Sequence, residues 1–467
     1  VLKGRRGNYL ISMRMKLAEG GSGKWHMVAD AGKSQVDIAA LRALLIGEGD
    51  IGGMIEESLE EAGKSLKRNV STADGLQLTG SEDATAHHFA NVLFNNMRGG
   101  VFADNYRIPA GDLGEFIRTR NRQAAERNSE FISSLPDGLV FQDLIELAGR
   151  AGDADLERLC HEYLPLYFGR RHGDPSRPWN RFSIRLKEGG RRLLRYEGNW
   201  RDIFQNWEAL AASYPGFLRG MIAKFVNAST VDGFNPYRIT REGIDWETVD
   251  PDDPWSYIGY WGDHQIVYLL RLLEAEKRHY PGTLEKMLSM DIFSYADVPY
   301  RIRPYEKILE DPGATVDYDA ESAGSTASRV EATGSDGRLV HGPDGKVYHV
   351  NLFEKLLVPV LAKLSNFVPD GGIWMNTQRP EWNDANNALV GSGISMVTLC
   401  YLRRHLAFMA DLLEGMEGAE LPVSSEVAGW FAGVESVFEN GKKAIGPEKT
   451  GDRDRKRILD LLSLIHI

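Results

Sequence analysis

The sequence has little of what marks several large classes of protein. Its 467 residues include only two cysteines, which argues against a disulfide framework and excludes a zinc site built on cysteine. No apolar run reaches the roughly 18 residues of a membrane span. Positive charge is in deficit, since the formal net charge is −11. The chain therefore has no electrostatic reason to bind nucleic acid or an anionic membrane, and we expect neither partner.

What the sequence does contain is a long series of helical patterns separated by aromatic-rich loops, with few and short strand patterns. Hydrophobic residues make up 42% of the chain and aromatic residues 10%, which is enough for a sizeable core. Such a run of helical hairpins predicts a mainly α fold of paired helices around a cleft, the (α/α) barrel. The predicted helices include 88–97, 113–134, 140–151, 154–163, 206–213, 215–227, 265–279, 284–290, 353–364, 387–408 and 426–440.

The two ends of the chain have a different character. Residues 8–31 alternate in the manner of a β-hairpin, and we interpret residues 1–34 as the end of an N-terminal β-sandwich domain. A helical linker is predicted over 35–75 and the barrel over 76–461, with a flexible Gly-, Asp- and Ser-rich insertion at about 311–346. Residues 462–467 break the preceding charged pattern and suggest a non-native adapter tail. We therefore expect a fragment of a longer protein.

The first stretch with chemical potential is 259–274, which reads GYWGDHQIVYLLRLLE. Its second half has helical periodicity, and Asp263 stands at or near the start of that helix. Trp261 and His264 flank the acid. Aromatic rings can stack on a sugar while a carboxyl group transfers a proton, so this pattern suits carbohydrate chemistry. The simpler interpretation is that Asp263 only caps the helix.

Two further polar stretches precede apolar helices. In the first, Arg201 and Asp202 stand at a helix start with Gln205 one turn on, a set that can bind vicinal hydroxyls or form a capping ion pair. In the second, residues 378–395 read QRPEWNDANNALVGSGIS. Glu381, Trp382 and Asp384 lie there among more polar groups than a turn requires. A solvated loop is the alternative, although it does not explain the tryptophan.

In this order, the motifs W-R-D-x-x-Q, W-x-D and W-N-D followed by V-G-x-G resemble glycoside hydrolase family 94, which includes cellobiose and chitobiose phosphorylases. The resemblance covers roughly residues 198–404. It implies a six-hairpin (α/α)6 barrel, incomplete here at its C-terminus, after a β-sandwich and a linker helix. The sequence departs from the family pattern at Asn206 and His264, where the family usually has Asp, and at Glu381, which replaces another Asp.

The resemblance also implies residue roles. Asp263 corresponds to the general acid that protonates the glycosidic oxygen. The remaining positions correspond to substrate-binding residues of the cleft, namely Arg201, Asp202, Gln205, Trp261, His264, Glu381, Trp382 and Asp384. A general acid must stay protonated near neutral pH, and Asp252 and Asp253 are the nearby charges in sequence that could favour this state. No phosphate-binding residues are identified.

The expected function is inverting cleavage, or reversible formation, of a glycosidic bond in a di- or oligosaccharide. Either phosphate or activated water can be the nucleophile, and the sequence leaves both open. No cofactor or metal is expected beyond inorganic phosphate as a co-substrate. The alternative is a helical toroid that binds glycans without turnover. The resemblance allows a homodimer, and a cytoplasmic location would follow from a phosphorylase; the sequence alone establishes neither.

Two other features have structural explanations. The basic segment 170–181 contains RRHGDPSRPWNR and could bind an anion, but surface arginines of this kind are more often structural. His161 follows Cys160 in a predicted helix and is interpreted as a packed core residue. Neither has the spacing of a metal site.

Overall fold

The computed structural model describes residues 11–30, 32–171, 183–188, 190–235, 238–246, 263–376, 391–416, 418–442, 444–445 and 450–467. These residues are mainly helical, which confirms the predicted fold class at that level. The chain divides into two units, Val1–Asn69 and Val70–Ile467. None of the helices in the described ranges combines the length and the apolar character needed to cross a membrane.

The helices vary from five to 21 residues in length. In chain order they are α1 Gln35–Ile46, α2 Ile51–Ser71, α3 Glu82–Gly99, α4 Ala110–Arg120, α5 Arg122–Arg127, α6 Ser129–Ser134, α7 Phe141–Ala151, α8 Ala154–Glu162, α9 Trp200–Ser213, α10 Leu218–Asn227, α11 Asp263–His279, α12 Thr283–Met287, α13 Tyr305–Glu310, α14 Ala320–Thr333, α15 Leu352–Leu364, α16 Met396–Leu413, α17 Ser425–Gly441 and α18 Asp452–His466.

The strands are two or three residues long and form small antiparallel sheets. Two of these sheets have three strands, in the orders β11-β10-β9 and β14-β15-β16. The strands are β1 Val101–Phe102, β2 Arg107–Ile108, β3 Leu139–Val140, β4 Leu166–Tyr167, β5 Arg170–Arg171, β6 Ser183–Ile184, β7 Lys187–Glu188, β8 Arg191–Arg192, β9 Glu197–Asn199, β10 Arg238–Thr240, β11 Gly243–Asp245, β12 Tyr300–Ile302, β13 Val316–Tyr318, β14 Phe367–Val368, β15 Gly372–Trp374 and β16 Ile394–Ser395.

The first unit contains α1 and most of α2. Ser34 and Asp37 form a capping box at the start of α1, in which the Ser34 N–H donates to Asp37 Oδ2 over 2.8 Å. Residues 11–30 differ from the predicted hairpin, because they contain a turn in which Gly21 N–H donates to Ala18 O but no strand. Strands need a paired neighbour, and alternation alone does not supply one. The β-sandwich assignment therefore stays a prediction.

In the second unit, α9 and α11 run parallel with their starts side by side. The rings of Phe204 and Tyr268 stack at 5.6 Å, and one turn further along both helices Arg271 Nε donates to Glu208 Oε1 over 2.6 Å. Because both contacts advance together, the helices point the same way. Phe204 is the fifth residue of α9 and Tyr268 the sixth of α11, so the two helices begin at nearly the same level.

Helix α16 is a second neighbour of α11 and is also parallel to it. Arg404 forms a two-pronged ion pair with Glu274 over 2.7 and 2.5 Å, and Lys277 pairs with Asp411 further along both helices. Helix α10 runs in the opposite direction, since Arg219 near its start lies 3.7 Å from Glu276 near the end of α11. This alternation is typical of helical hairpins. Closure into a six-hairpin ring stays a prediction.

The single helix predicted over 113–134 is three short helices. Asn121 ends α4 and caps α5, since its side chain accepts a hydrogen bond from Ala124 N–H over 3.0 Å. Asn128 separates α5 from α6, and its side chain donates to Asp153 Oδ2 over 3.0 Å. Asparagine competes with the helix for backbone hydrogen bonds, which explains both breaks.

The segment 311–346 was expected to be a flexible insertion, and the structure differs. It contains β13, α14 and a 3-10 turn, Ser335–Arg338, and the Asp336 side chain in that turn is completely buried. Asp319 caps α14 by accepting from Ser322 N–H over 2.9 Å. The Gly- and Ser-rich composition thus belongs to a 14-residue helix, which buries Thr326, and to the turn that follows it.

The last residues, 462–467, continue α18 as far as His466. Leu462 is fully buried, and the His466 ring stacks on Trp430 of α17 at 4.6 Å. The non-native origin proposed for this tail stays a prediction.

Candidate functional site

The three polar stretches of the sequence lead into α9, α11 and α16, and these helices begin at one end of the second unit. Helix α11 begins at Asp263, which agrees with the predicted helix start. Each start carries backbone N–H groups without partners inside its helix, and their dipoles favour negative charge at that end. The parallel packing thus gathers three helix N-termini, which sequence periodicity alone cannot establish.

Short sheets support these starts. Strand β9 precedes α9 directly and pairs with β10, and β10 pairs with β11, which leads into residues 247–262 and then α11. Arg238 in β10 bonds to Glu197 Oε1 over 3.3 Å and also to Asp245. The Arg338 guanidinium lies 5.5 Å from the centre of the ring of Trp246. Trp246 is the last described residue before residues 247–262.

The third passage, residues 377–390, begins and ends at one small sheet. Strand β15 pairs with β16, which leads directly into α16. The two flanks are joined, since Trp374 Nε1 donates to Gly391 O over 2.9 Å and Met375 N–H donates to Gly393 O over 3.0 Å. Gly391 has a φ of +73°, and a Cβ there would lie 2.2 Å from Pro312 O. The V-G-x-G motif therefore has a structural role.

Most of the predicted site side chains lie outside the described part of the structure, namely those of Arg201, Asp202, Trp261, Asp263, His264, Glu381, Trp382 and Asp384. For Arg201, Asp202, Asp263 and His264, only the helix in which the residue stands is described. Asp252, Asp253 and most of the basic segment 170–181 also lie outside the described residues. Their roles stay predictions.

Gln205 is the predicted site residue whose contacts are described. It is half-buried, and its Oε1 accepts a hydrogen bond from Arg98 Nη1 over 2.9 Å. Arg98 belongs to the last turn of α3, and this helix packs against α9. Because Oε1 faces Arg98, the amide NH₂ group of Gln205 is turned away from it and would act as a donor.

Asn206 is structural in this fold. It is 1% exposed, and its Nδ2 donates to Gly100 O over 2.8 Å. Gly100 ends α3 with a φ of +87°, which favours glycine, and a Cβ at Gly99 would lie 2.9 Å from Asn206 Nδ2. An aspartate could not donate this bond. The amide therefore fits α3 against α9, at a position where the resembling family usually has Asp.

Replacing Asn206 with aspartate is expected to destabilise the protein by about 2–3 kcal/mol, because it places a buried carboxylate against a carbonyl oxygen. Urea unfolding of the purified chain measures this loss. Asn440→Asp is a matched control, since Asn440 is exposed on α17 and should change stability by less than about 0.5 kcal/mol. Equal stability of both variants would contradict the structural role.

A buried charge cluster escaped the sequence-based predictions. It consists of Arg120, Arg158, Glu162 and Asp336, each at most 2% exposed. Arg120 donates to Glu162 over 2.7 Å and to Asp336 over 2.8 Å, and Arg158 bonds to both carboxylates as well. Burial alone would raise the pKa of Glu162, but the cationic neighbours, with Arg120 first, lower it to about 2.

The cluster joins chain segments that are distant in sequence. Arg120 and Asp336 are 216 positions apart, so no local spacing could have signalled the pair. Asn227 Nδ2 also donates to Glu162 Oε1 over 2.8 Å. Every carboxylate oxygen thus has a donor, as a buried carboxylate requires. We assign the cluster a structural role. Within the described ranges, no three His, Cys, Asp or Glu side chains are grouped as a metal site requires.

In a comparison with known protein families, the model of glycoside hydrolase family 149 insertion domain 1 matches residues 102–165, which run from the second residue of β1 to just past the end of α8. Family 149 is a glycoside phosphorylase family related to family 94. No curated protein matches the chain significantly. The matched segment is similar to part of a carbohydrate-active enzyme, and this supports enzyme status in general terms.

Proposed function

We propose that this chain belongs to an inverting glycoside phosphorylase acting on a di- or oligosaccharide. The observation that carries the proposal is the gathering of the starts of α9, α11 and α16 at one end, each preceded by a polar, tryptophan-containing stretch. The similarity of residues 102–165 to a domain of a glycoside phosphorylase family supports the same conclusion.

The proposed reaction needs one proton donor and one nucleophile on opposite faces of the sugar. A phosphate oxygen attacks the anomeric carbon while the bond from that carbon to the glycosidic oxygen breaks. Asp263 gives its proton to the departing oxygen, and the proton lost by the incoming phosphate restores Asp263. The products are a sugar 1-phosphate of inverted configuration and a saccharide that is shorter by one unit.

The other predicted residues bind and orient the sugar. Trp261 and Trp382 offer ring faces, and Gln205 offers the amide donor that Arg98 orients. The remaining contacts to hydroxyl groups are assigned to Arg201, Asp202, His264, Glu381 and Asp384. Orientation of this kind lowers the entropy cost of reaching the transition state.

Phosphate suits this end of the molecule better than water does. Three helix N-termini favour a bound anion, because the helix dipoles stabilise negative charge at that end. The proposal therefore takes phosphate as the co-substrate.

The test is incubation of the full-length gene product with a panel of β-linked disaccharides, with and without inorganic phosphate. We expect sugar 1-phosphate that forms only when phosphate is present. Free monosaccharides formed equally without phosphate would instead identify a hydrolase. Saccharide binding without any product would indicate a glycan-binding protein, and either result would overturn the proposal.

A further inference from the structure

A cavity of about 570 Å³ lies between the segment 102–165 and the helices of the rest of the second unit. One wall comes from α7 and the end of α8, and the other from the start of α10, Tyr280 after α11, and α12. Helix α11 has 17 residues and so spans about 25 Å. Because the cavity lies at its C-terminal end and Asp263 at its start, the two sites are distinct.

His161 lines this cavity and has no hydrogen-bond partner in the part of the chain that the structure describes. The residue is 2% exposed, and neither Nδ1 nor Nε2 bonds to any described residue. Burial, together with the positive charge of Arg219, lowers the pKa of His161 to about 3. The ring is therefore neutral and offers one donor and one acceptor. Buried polar groups are nearly always paired, so His161 lacks a partner that a molecule in the cavity would supply.

Positive charge faces the same space. Arg219 lines the cavity, and its Nη2 donates to Gln142 while its Nε has no hydrogen bond among the described residues. The guanidinium lies 5.8 Å from the centre of the Tyr280 ring. Lys286 on α12 adds a second, exposed cation to the lining. Neither cation forms an ion pair with a surface carboxylate among the described residues. Both can therefore bind an anion without breaking such a pair.

The carboxylate nearest to Arg219 is Glu276, and it neutralises that charge only in part. The closest atoms, Arg219 Nε and Glu276 Oε1, are 3.7 Å apart, and both carboxyl oxygens are without hydrogen bonds within the described ranges. Burial raises the pKa of Glu276 to about 7, even though the charge of Arg219 opposes this. Near neutral pH the carboxyl is thus partly protonated, and the cavity keeps net positive charge.

The remaining lining suits the body of an organic molecule. The rings of Tyr106 and Tyr280 and the side chains of Ile145 and Met287 provide apolar faces. The Tyr106 ring packs directly against Gly216, since a Cβ added at Gly216 would lie 2.6 Å from that ring. Aromatic faces next to cations and a neutral imidazole fit a hydroxylated ring that carries a phosphate better than they fit a bare ion.

We propose that this cavity is a second ligand site, which binds a small phosphate monoester such as a sugar phosphate. Arg219 and Lys286 hold the phosphate, and His161 forms a hydrogen bond with the ligand. A phosphate offers three terminal oxygens, so it can engage all three groups, whereas a carboxylate offers two. The site lies away from the proposed reaction centre and does not depend on the proposed function.

The experiment is calorimetric titration of the full chain with glucose 6-phosphate, with inorganic phosphate and glucose as separate probes. We expect saturable binding of glucose 6-phosphate that is tighter than that of inorganic phosphate, and weakest binding for glucose. Arg219→Gln and Lys286→Gln should each weaken glucose 6-phosphate binding by about 10- to 100-fold. Lys286 is exposed, so its variant keeps the test valid if the Arg219 variant fails to fold.

A control variant separates a local effect from a general loss of positive charge. Arg278→Gln makes the same charge change at an exposed position of α11 and should leave the affinity unchanged. A ligand bound at the proposed reaction centre would keep its affinity in Arg219→Gln and Lys286→Gln, so weaker binding in these variants distinguishes the cavity from that centre. Equal binding in wild type and both cavity variants, no saturable binding by wild type, or glucose binding as tight as that of its phosphate would overturn the proposal.

Discussion

Replacement of Asp263 by asparagine is expected to lower turnover by about 10²- to 10⁴-fold, the usual contribution of a general acid. Asparagine keeps the size of the side chain but cannot give a proton to the departing glycosidic oxygen. Because the amide still accepts and donates hydrogen bonds, the KM for the saccharide should change little. The measurement is kcat and KM for phosphate-dependent release of sugar 1-phosphate by the full-length product.

The matched control is Asp452→Asn. Asp452 is the first residue of α18, as Asp263 is of α11, and its side chain is 97% exposed. Both variants lose a carboxylate at a helix start, so a capping role predicts similar and small effects on stability. Catalysis that survives in Asp263→Asn, with a stability loss like that of the control, would show that Asp263 only caps its helix.

The second large effect is expected from Asp336→Asn, which should lower the free energy of unfolding by about 3–5 kcal/mol. Both oxygens of Asp336 accept hydrogen bonds from buried arginines, Oδ1 from Arg120 and Oδ2 from Arg158. An amide cannot balance the charge of these guanidinium groups, which have no access to water. Urea unfolding followed by circular dichroism measures the loss.

Asp317→Asn provides the comparison within the same segment. Asp317 accepts from Arg303 Nε over 2.8 Å, but its side chain is 60% exposed. Surface ion pairs contribute at most about 1 kcal/mol, so this variant should be nearly as stable as wild type. An equally small loss of unfolding free energy in both variants would show that no buried charge anchors the segment 311–346. The segment would then be better described as the flexible insertion expected from its composition.

The helices were predictable because their signals are local. Apolar spacing placed α11, and its start lies at Asp263 as expected. Asn121 and Asn128 were the exception, since a continuous apolar pattern concealed the two breaks that these asparagines make. Local capping chemistry prevailed over periodicity there.

What could not be predicted depends on contacts between distant residues. Asp336 lies in a Gly-rich segment, and nothing near it in sequence reveals that its partners are Arg120 and Arg158. His161 was correctly interpreted as buried, but its unpaired nitrogens become evident only when the cavity beside it is known. For the proposed site, the sequence predicted three polar stretches before helices, and only packing could bring the starts of these helices together.

The buried charge cluster also bears on how this protein could have changed during evolution. Three of its members, Arg120, Arg158 and Glu162, lie in the segment similar to an insertion domain, while Asp336 lies outside it. Deleting the segment in one genetic event would leave Asp336 without its arginine counter-ions. Gaining the segment in one event would bury the guanidinium groups of Arg120 and Arg158. The rest of the protein would then already need a carboxylate, such as Asp336, to neutralise them. Descendants are thus expected to keep or lose Asp336 together with the segment, as one heritable unit.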